Sequence, residues 1–272
     1  MNAPGHDQIV LPHEIVGDGR PLIWGHGLSN SRRIEDTAPL IDWAKVMAET
    51  PTKVVRYDAR GHGDAPTTSD LAAFRWDALA ADQLRLAESL GIDRYVAAGA
   101  SMGCGTALHA AVLAPERIEA LVLVIPPTAW ETRAGQTEQW ETVAGVVSAK
   151  GVEPMIQALP TLPRPDPFRD DPTYLDRRAA TLREWDTDRL AQVFRGAAGA
   201  DLPARSALRK LTMPVLILAW TGDPTHPVST AQELVELLPA ATLHLATTSQ
   251  DLAAWSDHLV TFLNSQGLAL RV

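Results

Sequence analysis

Cysteine is nearly missing from this chain: one residue in 272, Cys104. A lone cysteine excludes an intrachain disulfide and leaves no thiolate set for a structural metal. Cys104 also has no basic neighbour in sequence to lower its pKa, which reads as packing rather than as a reactive thiol. Basic clusters are missing as well. The chain carries 24 Lys and Arg against 33 Asp and Glu, a net charge of −9, which argues against nucleic acid as a partner and disfavours a polyanionic substrate. Long apolar runs are absent. The longest, 120–125 and 215–220, fall far short of the ~20 residues that span a bilayer. The first seven residues, Met1-Asn2-Ala3-Pro4-Gly5-His6-Asp7, have neither a basic segment nor an apolar one that would mark a leader. These absences predict a soluble, cytoplasmic protein with no membrane or nucleic-acid partner. No cofactor or metal pattern is evident, and self-association is left open.

Against these absences stands an apolar content of 46% in 272 residues. That suffices for one large α/β core, alone or with a small insert. The most informative stretch is Gly99-Ala100-Ser101-Met102-Gly103. A strand-like run, Tyr95-Val96-Ala97-Ala98, precedes it, and a helix-like run over 106–113 follows. In that context G-x-S-x-G predicts a nucleophile elbow. A serine at the tip of so tight a turn sits in strained backbone, and its neighbours two before and two after must be small. The helix that begins there presents free N–H groups and a positive dipole end to a developing oxyanion.

In chain order, residues 9–24 read as two or three short strands with a turn at Gly17-Asp18-Gly19,. Gly25-His26-Gly27-Leu28 follows. Its glycines let backbone approach a substrate, which points to the Leu28 N–H as an oxyanion donor alongside that of Met102. Helices are predicted over 41–49 and 73–90, with a strand over 53–57 between them. After that strand comes Asp58-Ala59-Arg60-Gly61-His62-Gly63-Asp64, where His62 reads as a loop brace. The runs 118–125, apolar but for Glu119, and 214–220 read as strands buried on both faces,. From 128 to 205 the β/α alternation stops and helix-like runs appear at 137–150, 173–184 and 188–197, with Trp130, Trp140 and Trp185 and a Pro-rich stretch at 160–172. This segment is expected to form a helical cap (128–205) inserted into a core built from 1–127 and 206–272. Trp130 is a candidate for the pocket wall. The alternation resumes with a helix over 230–238, a strand over 242–246 and a helix over 251–263.

Taken together, Gly25-His26-Gly27, Asp58-Ala59-Arg60-Gly61-His62-Gly63, Gly99-Ala100-Ser101-Met102-Gly103 and Gly222-Asp223 with Pro227 resemble the α/β-hydrolase superfamily, in its enol-lactonase-like or esterase-like branch. The resemblance implies a mostly parallel eight-stranded sheet, helices on both faces and a helical cap after the sixth strand. It implies a catalytic triad in the chain order Ser, Asp, His, with Ser101 as nucleophile and Asp223 as acid. The base belongs in the loop after the last strand. Here that loop is Ala246-Thr247-Thr248-Ser249-Gln250, which contains no histidine. His226, three residues past Asp223, is the leading substitute; His258 and His244 are the others, with His26 and His62 further alternatives. His26 and His258 are also expected near the substrate pocket.

Two readings follow. In the first, the chain is a serine hydrolase that cleaves a small carboxylic ester or lactone through an acyl-enzyme on Ser101. In the second, the missing histidine marks a catalytically weak or non-catalytic binding protein on the same scaffold. An acyl transferase is a variant of the first that excludes water from the site.

Overall fold

The computed structural model describes residues 9–265. The N-terminal stretch 1–7, from which the absence of a leader is read, lies outside the described residues. Seven strands form one sheet: β1 (His13–Gly17), β2 (Arg20–Gly25), β3 (Thr52–Tyr57), β4 (Tyr95–Ala100), β5 (Ile118–Val124), β6 (Val215–Trp220) and β7 (Ala241–Ala246). Their spatial order is β1-β3-β2-β4-β5-β6-β7, and every pairing is parallel except that of β1 with β3. The α/β class and the mostly parallel sheet are as the sequence predicts; the strand number is not. Residues 9–12 form no ladder. Leu11 is buried in the core, but Pro12 has no N–H to donate, and its carbonyl accepts from the Asp58 N–H at the end of β3,. The helical excursion therefore follows the fifth strand rather than the sixth.

The helices are α1 (Arg32–Thr37), α2 (Trp43–Glu49), α3 (Trp76–Ser89), α4 (Met102–Leu113), α5 (Arg133–Lys150), α6 (Glu153–Ala158), α7 (Tyr174–Arg183), α8 (Thr187–Ala198), α9 (Arg205–Leu208), α10 (Val228–Leu237), α11 (Ser249–Ala253) and α12 (Trp255–Ser265). The continuous apolar strands sort their side chains by period two. Leu121 and Leu123 of β5 enter the core on the face that holds Trp76, Cys104 and Leu108, whereas Ala120, Val122 and Val124 meet Trp24, Val46, Trp255 and Leu259 on the other. Both faces are thus covered by helices, as a parallel sheet requires. Among the described residues no helix is long and apolar enough to cross a membrane.

Helices α5 to α8 lie in the excursion between β5 and β6. Arg133 of α5, which is 4% exposed, ties α5 to α8 and touches α3. Its guanidinium lies 4.3 Å from the Trp76 ring and 4.2 Å from the Trp140 ring. Its Nε donates to the Ala200 carbonyl at 2.6 Å and its Nη2 to the Ala197 carbonyl at 2.8 Å. Ala197 is in the last turn of α8 and Ala200 lies just past its end, where the helix dipole favours a cation,. Burial pushes the Arg133 guanidinium down to about 10.

Candidate active site

The strand order reverses between β2 and β4: the chain leaves β2 for β3 on one side and crosses to β4 on the other. Open α/β sheets place ligands in the crevice at the carboxyl ends of such strands. Two of the predicted motifs meet there. Ser101 follows β4 with φ 52° and ψ −107°, a left-handed geometry that β-carbon sterics disfavour,. A Cβ at Gly99 would lie 2.6 Å from the Gly103 carbonyl carbon, and one at Gly103 would lie 2.0 Å from the Gly25 carbonyl oxygen. The two flanking glycines therefore let the elbow close and let α4 start against the backbone of β2.

The Ser101 hydroxyl donates to His226 Nε2 at 2.8 Å. His226 Nδ1–H donates to Asp223 Oδ2 at 2.7 Å. Asp223 Oδ2 also receives the Trp220 indole N–H at 3.0 Å, and Oδ1 receives the Thr225 N–H at 2.9 Å. Burial pushes the Asp223 carboxyl up, but the His226 bond and charge, with the Thr225 and Trp220 donors, outweigh it and hold it at about 2. Hydrogen bonds to the charged form and a neighbouring cationic partner both favour a carboxylate. The chain of atoms Oγ–imidazole–carboxylate is the arrangement that activates a serine. Both proton-handling groups come from one loop, Thr221-Gly222-Asp223-Pro224-Thr225-His226-Pro227, between β6 and α10.

The loop after β7 is built for a different purpose. Thr247 N–H, Thr247 hydroxyl and Thr248 N–H all donate to Asp251 Oδ2 at 2.9 Å, and the Thr248 hydroxyl caps α11. This is a capping box. His244 and His258 stack on each other, ring centroids 3.7 Å apart, and neither hydrogen-bonds Ser101. The ring of His258, expected near the pocket, lies on that of His244 of β7.

His26, also expected near the pocket, is 1% exposed; its Nδ1–H donates to the Gly27 carbonyl at 2.8 Å, and its Nε2 accepts from the Ala59 N–H at 3.0 Å. With both ring nitrogens engaged, it joins two loops. His62 is also 1% exposed, with Nε2 2.7 Å from the Leu28 carbonyl and Nδ1 2.9 Å from that of Arg60. Burial pushes its imidazole down to about 3, so it is neutral and carries one N–H for two carbonyls. Asp82 on α3 is only 2% exposed, and Arg60 chelates it at 2.9 and 3.0 Å.

The Leu28 carbonyl is held by His62, and the neighbouring Ser29 carbonyl accepts the Trp185 indole N–H at 3.2 Å. Neither the Leu28 N–H nor the Met102 N–H donates to another group among the described residues. Gly27 comes close to the elbow: a Cβ there would lie 3.7 Å from Ser101 Cβ. Trp130 is half-buried with φ 50°. Its N–H bonds Asp201 Oδ1 at 3.0 Å, its indole N–H bonds the Pro203 carbonyl at 3.1 Å, and Arg205 stacks 4.3 Å from its ring. Cys104 is fully buried, its Sγ 3.1 Å from the Val124 carbonyl, and burial pushes its thiol well above the usual range. Among the described residues no group of three or more His, Cys, Asp or Glu side chains is placed to hold a metal ion. The contacts of Trp220, Thr225 and His62 with the site are not apparent from sequence; only the adjacency of Trp220 and Thr225 to Asp223 hints at theirs.

The chain is 29% identical over 206 residues to 3-oxoadipate enol-lactonase 2 of Acinetobacter baylyi, covering 75% of this chain and 74% of that protein. Its fold superposes on the enol-lactonase of Burkholderia xenovorans LB400 with a TM-score of 0.77 at 22% identity, covering 95% of this chain and 98% of that one. A thermophilic esterase from Thermogutta terrifontis gives a TM-score of 0.76 at 21% identity, covering 95% and 94%. The family model described as alpha/beta hydrolase fold matches residues 20–257. With sheet order, elbow and family match in agreement, this chain belongs to the α/β-hydrolase family.

Proposed function

We propose that the protein is a serine hydrolase that cleaves a small carboxylic ester or lactone through an acyl-enzyme on Ser101. The observation that carries this reading is the continuous hydrogen-bonded line from Ser101 Oγ through His226 to Asp223, at 2.8 and 2.7 Å. In this mechanism His226 Nε2 takes the hydroxyl proton as Oγ attacks the carbonyl carbon. The Leu28 and Met102 N–H groups stabilise the oxyanion. Asp223 fixes the tautomer and supports the imidazolium. The imidazolium then returns its proton to the leaving alkoxide, and a water activated by the same histidine releases the acid. The residues 128–205 act as a cap over this cleft. The enol-lactonase and esterase relatives support the ester or lactone class. The non-catalytic reading drew on the missing histidine after the last strand; an imidazole within hydrogen-bond reach of Oγ counts against it.

A fluorophosphonate probe is expected to label the folded protein rapidly and at Ser101. Ser101→Ala should abolish labelling and p-nitrophenyl acetate turnover while the circular dichroism spectrum and melting temperature are retained. Wild-type turnover in that variant would rule the mechanism out.

A further inference from the structure

In the resemblance that the motifs carry, acid and base arrive on separate loops, each braced by its own strand. Here one loop carries both, and the chain after β7 supplies neither. A loop that holds two reacting groups needs a support of its own. The structure places one against it from the excursion: a Pro-rich strap, residues 163–172, containing a single 3-10 turn, Asp166–Phe168.

Asp166 grips the first residue of the loop at two points. Its N–H donates to the Thr221 carbonyl at 2.8 Å, and its Oδ2 accepts from the Thr221 hydroxyl at 2.6 Å. Gly222 next to it has φ +81°, and a Cβ there would lie 2.8 Å from Asp166 Oδ1 and 2.9 Å from Asp166 N. The glycine thus admits the strap as well as the turn. Arg169 bonds the other Asp166 oxygen from within the strap. Two positions after Asp166, Phe168 packs edge-to-face on Trp220 at 5.5 Å, and Tyr174 stacks on Phe168 at 5.0 Å. Trp220 is the residue whose indole N–H holds Asp223, and its ring lies 6.1 Å from that of His226. Helix α11 packs against the Asp166–Phe168 turn. The segment where the base is expected from the resemblance therefore serves to pack the strap.

We infer that Asp166 is a positioning residue for the proposed triad: by clamping Thr221 it holds the Asp223–His226 loop in register with Ser101. The inference rests on the serine-hydrolase reading. Asp166 touches no reacting atom. It acts through Thr221 and, by way of the strap, through the Phe168–Trp220 contact on Asp223. Displacing a catalytic group by about 1 Å costs about a hundredfold in rate, whereas substrate binding on the cap side and the oxyanion loop is left alone.

The test uses full-length protein, p-nitrophenyl acetate kinetics and the low-field proton resonance of the His226 Nδ1–H bonded to Asp223. Asp166→Ala is expected to lower kcat about a hundredfold with KM within about twofold, and to broaden or remove that resonance at temperatures well below melting. Asp166→Asn keeps the N–H and a carbonyl acceptor for Thr221 and should restore most of both. Thr221→Val, which removes a single hydroxyl, should give the same signature more weakly, and serves if Asp166→Ala does not fold. A wild-type resonance that His226→Gln abolishes but Asp166→Ala and Thr221→Val leave unchanged, with kcat unchanged, would overturn the positioning role alone. Absence of any such resonance in wild type, together with full activity in His226→Gln, would overturn the triad reading and the role of the strap with it.

Discussion

Asp223 receives hydrogen bonds from an imidazole, an indole and a backbone amide within one short loop. That concentration of donors has a consequence for stability as well as for chemistry. The carboxyl is held at about 2, below the ordinary value of about 3.9. A group whose pKa falls on folding adds stability above the unfolded value and loses it as pH drops toward the folded one. The wild-type protein should therefore lose part of its stability between about pH 4 and pH 2, and Asp223→Asn should lack that part. The difference between their acid-denaturation curves isolates it from the other carboxylates. The same variant should lower kcat by about ten-thousandfold, because an amide no longer selects the productive tautomer. Ser101 is legible in the sequence because G-x-S-x-G is a local pattern, and Asp223 through the resemblance; the base is not, since His226 stands there only as the leading one of several histidines, and its bond to Ser101 joins residues 125 apart. Nor is the role of His26: a His-Gly pair after a strand looks the same whether its ring faces a pocket or, as here, joins two loops.

At the scale of elements, the elbow depends on how closely α4 approaches β2. A methyl group on Gly103 would meet the Gly25 carbonyl at 2.0 Å, and backbone on both sides leaves nothing flexible to yield. Gly103→Ala should cost about 3 kcal/mol or more in urea unfolding, with activity lost at temperatures where the fold persists. Gly91→Ala serves as the contrast: nothing lies within 4 Å of a Cβ there, and only its φ of +65° is strained. Apolar periodicity located every strand from β2 to β7 and most helices. The strand count failed at residues 9–12, where apolar residues promise a strand but Pro12 interrupts the ladder,. The predicted helix over 251–263 proved to be two, α11 and α12, divided at Ala254. The strap was invisible for a different reason. Its partners lie 55 residues apart in Asp166 and Thr221, and no local pattern encodes a contact of that range.

At the scale of the whole molecule, the excursion and the sheet are held together by a few buried polar ties. Arg133 binds α5 to the C-terminal end of α8 through two carbonyls, and its plane, sandwiched by Trp76 and Trp140, reaches α3. Arg133→Met preserves much of the volume but leaves those carbonyls unmatched, at a cost of about 3 kcal/mol. Arg133→Lys should recover little, since an ammonium cannot stack as a plane between two indoles and lacks the fixed fork that meets both carbonyls. Equilibrium unfolding of both variants checks this. The distribution of duties across the chain has one further implication. A relay assembled from three separate segments constrains all three against insertion, deletion or drift. In the proposed triad the acid and the base share seven consecutive residues, Thr221 to Pro227, and Ser101 alone lies elsewhere. The stretch beyond β7 is thereby released from chemical service, and a transplant of that one loop with its strap would carry acid and base together into a related scaffold.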